Sequence, residues 1–281
     1  MTMRNIRSIR THIFMIIFSV VMIYPVLWWL GAAFKSNSEM SLPGILPKTW
    51  MWSNFTEGWV SMPKYSFAHF YMNSFELTLT IVALAVVACS LTAFGFARLD
   101  FPLKNFWFTI LILTLMLPAQ VTIVPQYIMF NDLNWINTYL PFWVPHALVA
   151  GNGSAFFVYL MVQFIRGIPK ELDESAKIDG CNWFGIYRRI IIPLLKPAIV
   201  SVIIFSFLWN WDDFLGHLLY INSLEDYTVG LALKSFADGE SATPWGQLLA
   251  MSLISVMPAF AIFITCQKQL VDGIASGAVK G

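Results

Sequence analysis

The chain has 281 residues, a formal net charge of +1, 58% hydrophobic residues and only 12% charged ones. A soluble domain carries about 25% charged residues, so the composition excludes an ordinary water-soluble fold, and a net charge near zero gives no basis for a nucleic-acid partner. With 24 Phe, 12 Trp and a mean hydropathy of +0.67, most of the surface is expected to face the lipid bilayer.

Arg4, Arg7 and Arg10 precede an apolar run from His12 to Phe34. A signal-peptide core is about 7–15 residues. This run is longer and carries Trp28 and Trp29 near its far end, as an interfacial anchor does. It reads as an uncleaved first span, 12–34. A spanning helix needs about 20 mostly apolar residues, and five more stretches qualify: 75–97, 106–130, 141–165, 198–220 and 245–267. The fourth contains Pro141, Pro145, Gly151, Asn152 and Gly153, so it is expected to be partly broken or to start late. Pro258 is expected to kink the sixth. Two longer loops stand out: 35–74, with Pro43, Pro47 and Pro63, and the acidic 222–244, with Glu225, Asp226, Asp238 and Glu240. Loops this long are often functional, and both a partner-receiving surface and simple solvated connectors stay open. Cys89, Cys181 and Cys266 fit no zinc or redox spacing, so no metal site is expected.

Six spans put both termini on one side. That side holds Arg4, Arg7, Arg10, Arg98, Lys104, Arg166, Lys170, Lys177, Arg188, Arg189, Lys196, Lys268 and Lys280; the other holds Lys35, Lys48, Lys64 and Lys234. The positive-inside rule then predicts that both termini are cytoplasmic.

The cytoplasmic segment 166–197 reads RGIPKELDESAKIDGCNWFGIYRRIIIPLLKP. Pro169 is placed to open a helix. Glu171, Asp173 and Glu174 fill its first turn, where carboxylates favour the positive end of the dipole. Gly180, after Asp179, suits the left-handed residue that ends a helix. Asn182 is placed to cap a second helix from Trp183 to about Ile192, and Pro193 and Pro197 bracket the return to the membrane. Such short amphipathic helices need a surface to bury their apolar side.

Glu174-Ser175-Ala176, then Gly180, Ile190 and Ile192-Pro193, resemble the EAA loop of bacterial ABC-importer permeases. The spacing is the family's; Ser175 and Ile192 stand where the pattern has Ala and Leu. Further resemblances lie in Asn73-Ser74, in Phe94 to Arg98, in LPAQVTIVPQY (117–127), in Asn137-Thr138-Tyr139 and in the stretch from Gly273 to Gly281 that ends GAVKG. Together they are similar to the maltose-type carbohydrate permeases, MalG-like subunits. The resemblance implies a homologous sister permease forming a heterodimer with this chain, two ATPase subunits on the cytoplasmic face and an extracytoplasmic solute-binding protein. It implies that Glu174, Ser175, Ala176, Asp179, Gly180, Ile190 and Pro193 dock the ATPase, and that the tail, Lys280 included, reaches toward it. The chain has no phosphate-binding loop of its own. It is therefore expected to be no enzyme and to bind no cofactor, ATP and Mg2+ being held by the partner ATPase.

Ser206, Asn210, Asp213 and His217 fall on one face if the fifth span is a continuous helix. With Trp209 and Trp211, which can stack on sugar rings, they are candidates to line the pathway, since buried carboxylates and amides in a membrane persist beside a cavity or a partner. Packing against the sister subunit is the other reading. Gln120 and Gln126, beside Pro118 and Pro125, are weaker candidates that can instead bond across helices. Gly151-Asn152-Gly153-Ser154 raises a remote third reading, an intramembrane serine protease, which needs a histidine set to activate Ser154.

The expected fold is all-α: a polytopic transmembrane helical bundle of six spans with a cytoplasmic helix–turn–helix coupling segment. It forms one permease domain over 1–281, with an N-terminal span 12–34, core spans over about 75–267, the coupling loop 166–197 and a tail 268–281. The expected function is the permease subunit of a binding-protein-dependent ABC importer for a carbohydrate in a bacterial inner membrane. An ion-coupled secondary transporter is the main alternative, although the two halves show no repeat with paired broken helices.

Overall fold

The computed structural model describes residues 3–60, 64–237 and 243–278, without the side chains of residues 3–9, of Ala119 and beyond Gln267. Lys280 of the tail, and Pro63, Asp238 and Glu240 of the two long loops, lie outside the described residues. The regular elements are helices: α1 (Met3–Ala32), α2 (Ser53–Val60), α3 (Phe67–Arg98), α4 (Lys104–Thr114), α5 (Ala119–Asp132), α6 (Leu140–Ala147), α7 (Ser154–Arg166), α8 (Glu171–Ile178), α9 (Trp183–Ile186), a π-helical turn (Tyr187–Ile191), α10 (Ile192–Leu194), α11 (Lys196–Trp211), α12 (Phe214–Tyr220), α13 (Val229–Ala237) and α14 (Trp245–Ala278).

Among the described residues, three helices are long and apolar enough to cross a membrane alone, over Arg10–Ala32, Phe67–Arg98 and Trp245–Gln267. They are the first, second and sixth expected spans. The middle three spans are interrupted, each for its own reason. The third divides into α4 and α5 because Pro118 has no N–H to continue a helix and disfavours helical geometry at Leu117. Pro118 stands extended, at φ −63° and ψ 132°, as the N-cap of α5. The fourth divides into α6 and α7 at the glycine-rich turn, where Gly153 adopts φ +78°, a conformation that glycine reaches without strain. The fifth was expected to be one helix over 198–220 and is not. It divides at Asp212-Asp213, because Asp213 Oδ1 accepts a hydrogen bond from Gly216 N at 2.9 Å and so starts a new helix, α12.

Contacts group the chain into two units, residues 1–71 with 229–257, and residues 72–228 with 258–281. In the first, Ala32, Ala33, Phe67, Phe70, Phe236 and Met251 are buried. The long loop after α1 is ordered within it. Asn54 Nδ2 donates to Ala33 O at 2.9 Å and to Lys35 O at 3.0 Å, and the buried Lys35 ammonium donates to Gly44 O at 2.6 Å. Phe34 packs on Trp50 and Trp52 with ring centres 5.1 and 4.8 Å apart. None of the apolar window of α1 is buried, the pattern of a helix whose solvent is lipid.

The second unit has a continuous apolar core. Ala85, Cys89, Ala93 and Phe94 of α3 meet Phe157, Val158, Met161, Val162 and Ile165 of α7 and Ala198 and Val202 of α11. The same cluster takes in Ala176, Ile186, Ile191 and Leu195 from the helix–turn–helix segment. Burying Ile186, Ile191 and Leu195 at about 1.5–3 kcal/mol each, with the smaller Ala176 beside them, makes that segment part of the body of the unit.

Candidate functional site

The helix–turn–helix forms by local chemistry. Helix α8 has Glu171, Asp173 and Glu174 in its first turn and Lys177 in its last, each matched to the dipole. Ser175 Oγ donates back to Glu171 O at 2.8 Å. The helix ends in a Schellman motif: Cys181 N donates to Ala176 O at 2.9 Å and Gly180 N to Lys177 O at 3.0 Å, with Gly180 at φ +80°. Asn182 then caps α9, its Oδ1 accepting from Gly185 N at 2.8 Å. The expected second helix to Ile192 keeps α geometry only to Ile186. Pro193 removes the N–H that Arg189 O would receive, and the backbone widens into the π turn Tyr187–Ile191. The helices Trp183–Leu194 and Lys196–Trp211 then meet at a bend of 75°.

The two faces of the segment differ. Inward, Ala176 joins the core, with Ile190 packed against it. Phe94 lies against Tyr187 and Trp183 with ring centres 5.3 and 6.2 Å apart, and Ser90 Oγ is 2.8 Å from Tyr187 Oη. Outward, Glu174, Ser175, Asp179, Gly180 and Pro193 are exposed. Around them Leu172 and Phe184 are exposed and Ile178 is 86% exposed. Lys177 Nζ lies 3.9 Å from the Trp183 ring centre, bracing α8 against α9. The segment thus presents an apolar patch with an acidic rim, carried on short helices rooted in the core.

One pair was not foreseen. Arg98, the last residue of α3, places Nε 2.6 Å from Asp173 Oδ2, with the two side chains 3% and 6% exposed. Its Nη2 donates to Ile168 O at 2.7 Å. The Nε–H is not aimed along a hydrogen bond, and Asp173 Oδ1 has no partner among the described residues, so the contact is a charge pairing. In the sequence, Arg98 reads as one of many topology-setting cations and Asp173 as one of three acids in a first turn. Only the fold shows that they hold α8 to α3.

The candidate pathway residues are not brought together as expected. The break at Asp212-Asp213 removes the continuous helix that was to align Ser206, Asn210, Asp213 and His217. Ser206 (0% exposed), Asn210 and His217 are buried within the chain. Asn210 Nδ2 donates to Ser206 O at 2.7 Å, and His217 Nδ1 is 3.0 Å from Thr228 Oγ1. Asp213 is half-buried and serves as the α12 cap. Trp211 stacks on Phe207 at 5.3 Å and meets the tilted ring of Phe75 at 4.9 Å. Trp209 stacks on Phe157 at 5.4 Å yet keeps 40% of its surface. Gln120 is exposed and Gln126 half-buried, both on α5.

The turn containing Ser154 is structural. A Cβ at Gly153 would lie 2.6 Å from Trp209 Cζ3, so the glycine admits the indole. Ser154 Oγ is buried without a hydrogen-bond partner among the described residues, so none of their histidines is set to activate it. Gly153→Ala adds both a clash and a strained φ, and is expected to destabilise the chain by about 2–4 kcal/mol, seen as a lower thermal unfolding midpoint in nanodiscs.

At the far end of α12 the loop 221–228 is clamped. Asn137, itself at φ +62°, accepts at Oδ1 from Asn222 N (2.9 Å) and Ser223 N (2.6 Å), and donates from Nδ2 to Ser223 Oγ at 2.7 Å. Asn73 Nδ2 donates to Glu225 O at 2.6 Å and Tyr227 O at 3.0 Å. Both positions lie in stretches that carried the family resemblance. Asn137→Ala releases two backbone donors, one exposed and one half-buried, with an expected cost of about 1–2 kcal/mol. Limited proteolysis should then cut within 221–228 faster than in the parent chain.

The fold and its core-rooted, outward-facing segment define a polytopic membrane transport subunit. The chain belongs to the family described as binding-protein-dependent transport system inner membrane component, whose profile matches residues 85–274. It is similar to the probable ABC transporter permease protein YurM of Bacillus subtilis (strain 168), 32% identical over 270 residues, which cover 96% of this chain and 87% of that protein. It is also similar to the galactooligosaccharides transport system permease protein GanQ of the same organism, 28% identical over 99% of this chain and 97% of that one. Its fold matches a chain in the crystal structure of a bacterial ABC transporter involved in the import of the acidic polysaccharide alginate, with a TM-score of 0.82 and 18% identity over 94% of this chain and 96% of that one.

Proposed function

We propose that the solute carried by this permease is a carbohydrate, an oligosaccharide in particular, and that transport is driven by a partner ATPase gripping the outward face of α8 and α9. The observation that carries this reading is the patch of Leu172, Glu174, Ile178 and Phe184 on helices whose other face is buried in the membrane-embedded core. A force applied there reaches α3, α7 and α11 directly. The galactooligosaccharide relative supports the solute class. In this reading a sister permease completes the pathway, two ATPase subunits hold ATP and Mg2+, and a solute-binding protein delivers the sugar. The basic residues around the segment support a cytoplasmic location for it and for both termini. Trp209 and Asp213, each of which keeps part of its surface exposed, are the proposed sugar-facing residues.

Affinity purification of the tagged chain from its native membrane tests this. It should bring down an ATPase and a second permease, and proteoliposomes of the complex should take up labelled oligosaccharide only with ATP and binding protein present. Uptake that persists without ATP, from a preparation with no ATPase, would falsify the proposal in favour of an ion-coupled carrier.

A further inference from the structure

The ends of α3, α4 and α7 enclose a cleft of about 750 Å³ that lies beside the Arg98–Asp173 pair and apart from the exposed patch on α8 and α9. Arg98, Lys104, Arg166 and Lys170 line it, against one carboxylate, Asp100. Arg98 is already matched by Asp173. Lys104 Nζ donates to Leu99 O at 2.7 Å; its 3.4 Å approach to Asp100 involves a fully exposed carboxylate, a contact of little weight. Arg166 lies over the Phe108 ring, 5.0 Å from its centre, and offsets the negative end of α7. Lys170 is exposed. Three cations therefore face one solvated acid. Helix α4 opens at the same cleft with no acidic residue in its first turn, so its positive end is uncompensated too.

The other wall is apolar. Phe101, Leu103 and Phe106 line the cleft, and Leu103, Phe106 and Trp107 expose half or more of their surface to the outside. The candidate span α3 and the apolar helix α7 end here and α4 begins, so the cleft is read as lying where helices leave the bilayer. A free polar anion has no use for the apolar wall, whereas a phosphodiester bearing acyl chains satisfies both. The volume is in the range of small-ligand pockets, about 300–1,000 Å³, and basic recesses between helices at a membrane surface suit anionic headgroups. We propose that this cleft binds the headgroup phosphate of an anionic glycerophospholipid, held by Lys104, Arg166 and Lys170, with the acyl chains laid along Leu103 and Phe106.

The test uses the full chain in its purified assembly. Binding of labelled phosphatidylglycerol is titrated in nanodiscs of phosphatidylcholine, and retained lipid is read by native mass spectrometry. Each lost cation is expected to weaken phosphatidylglycerol binding about fivefold, so Lys104→Gln/Arg166→Gln is expected to lose about twentyfold or more. Lys170→Gln alone should show the single-cation loss, and Lys196→Gln, outside the cleft, should show none. Phosphatidylcholine retention should be unchanged in all, and thermal unfolding unchanged in Lys170→Gln and Lys196→Gln. Unchanged phosphatidylglycerol binding in the double variant and in Lys170→Gln would overturn the proposal. So would complete displacement of the lipid by inorganic phosphate, which would make the cleft a free-phosphate site. Loss of the co-purifying ATPase with lipid retained would make it a protein contact and overturn it equally.

Discussion

Asp173→Ala is expected to destabilise the chain by about 3–5 kcal/mol, because it leaves the Arg98 guanidinium buried without its counter-charge. The pair is 2.6 Å apart and almost without solvent, and the hydrogen bond from Arg98 to the neutral Ile168 O cannot neutralise it. Transport should fall with stability, since α8 loses its tie to α3. The double variant Arg98→Leu/Asp173→Leu separates charge from packing. Exchanging a buried ion pair for apolar side chains is often neutral or stabilising, so the double variant should unfold near the parent midpoint. If Asp173→Ala matched the parent in both unfolding and uptake, some other contact would be holding α8.

Gly180→Pro acts differently. Proline fixes φ near −65°, whereas the native value is +80°, and it removes the N–H that donates to Lys177 O. Nothing lies within 4 Å of a Cβ at Gly180, so the whole effect comes from the backbone. The Schellman end of α8 is expected to be lost at about 3 kcal/mol or more, changing the angle between α8 and α9. Sugar uptake per ATP hydrolysed should drop while insertion into the membrane stays normal. Glu174→Lys is the complementary variant, because Glu174 is exposed. It should leave unfolding unchanged yet lower uptake by disturbing the gripped face. Parent-level uptake in both variants would remove the docking role from this segment.

Those two variants rest on features that were legible in the sequence. Gly180 after an acid-rich first turn, Asn182 before an aromatic pair and Pro193 at the return all act within a few residues, so the local pattern contains the physics. The single-helix spans were legible for the same reason, since a long apolar run has one stable form in lipid. The break in the fifth span was not. Asp213 can continue a helix or cap a new one, and the choice depends on Gly216 three residues on, which composition does not weigh. That one ambiguity undid the polar stripe, because helical faces are defined only along an unbroken helix. Arg98 and Asp173 were hidden for the opposite reason: nothing local marks two charges 75 positions apart as partners.

The 75° bend between α10 and α11 has a geometric consequence. Helix α11 is 16 residues long, about 24 Å at 1.5 Å per residue. It is joined at its base to the short arm α9–α10, so the two form a crank with its elbow near Leu195. A swing of the short arm by about 10° would carry the far tip of a rigid 24 Å rod through roughly 4 Å. That tip is where Trp209 lies over Gly153 and where Asp213 begins the next helix. A small push at the protein surface would thereby be enlarged into a stroke comparable to the thickness of a sugar ring.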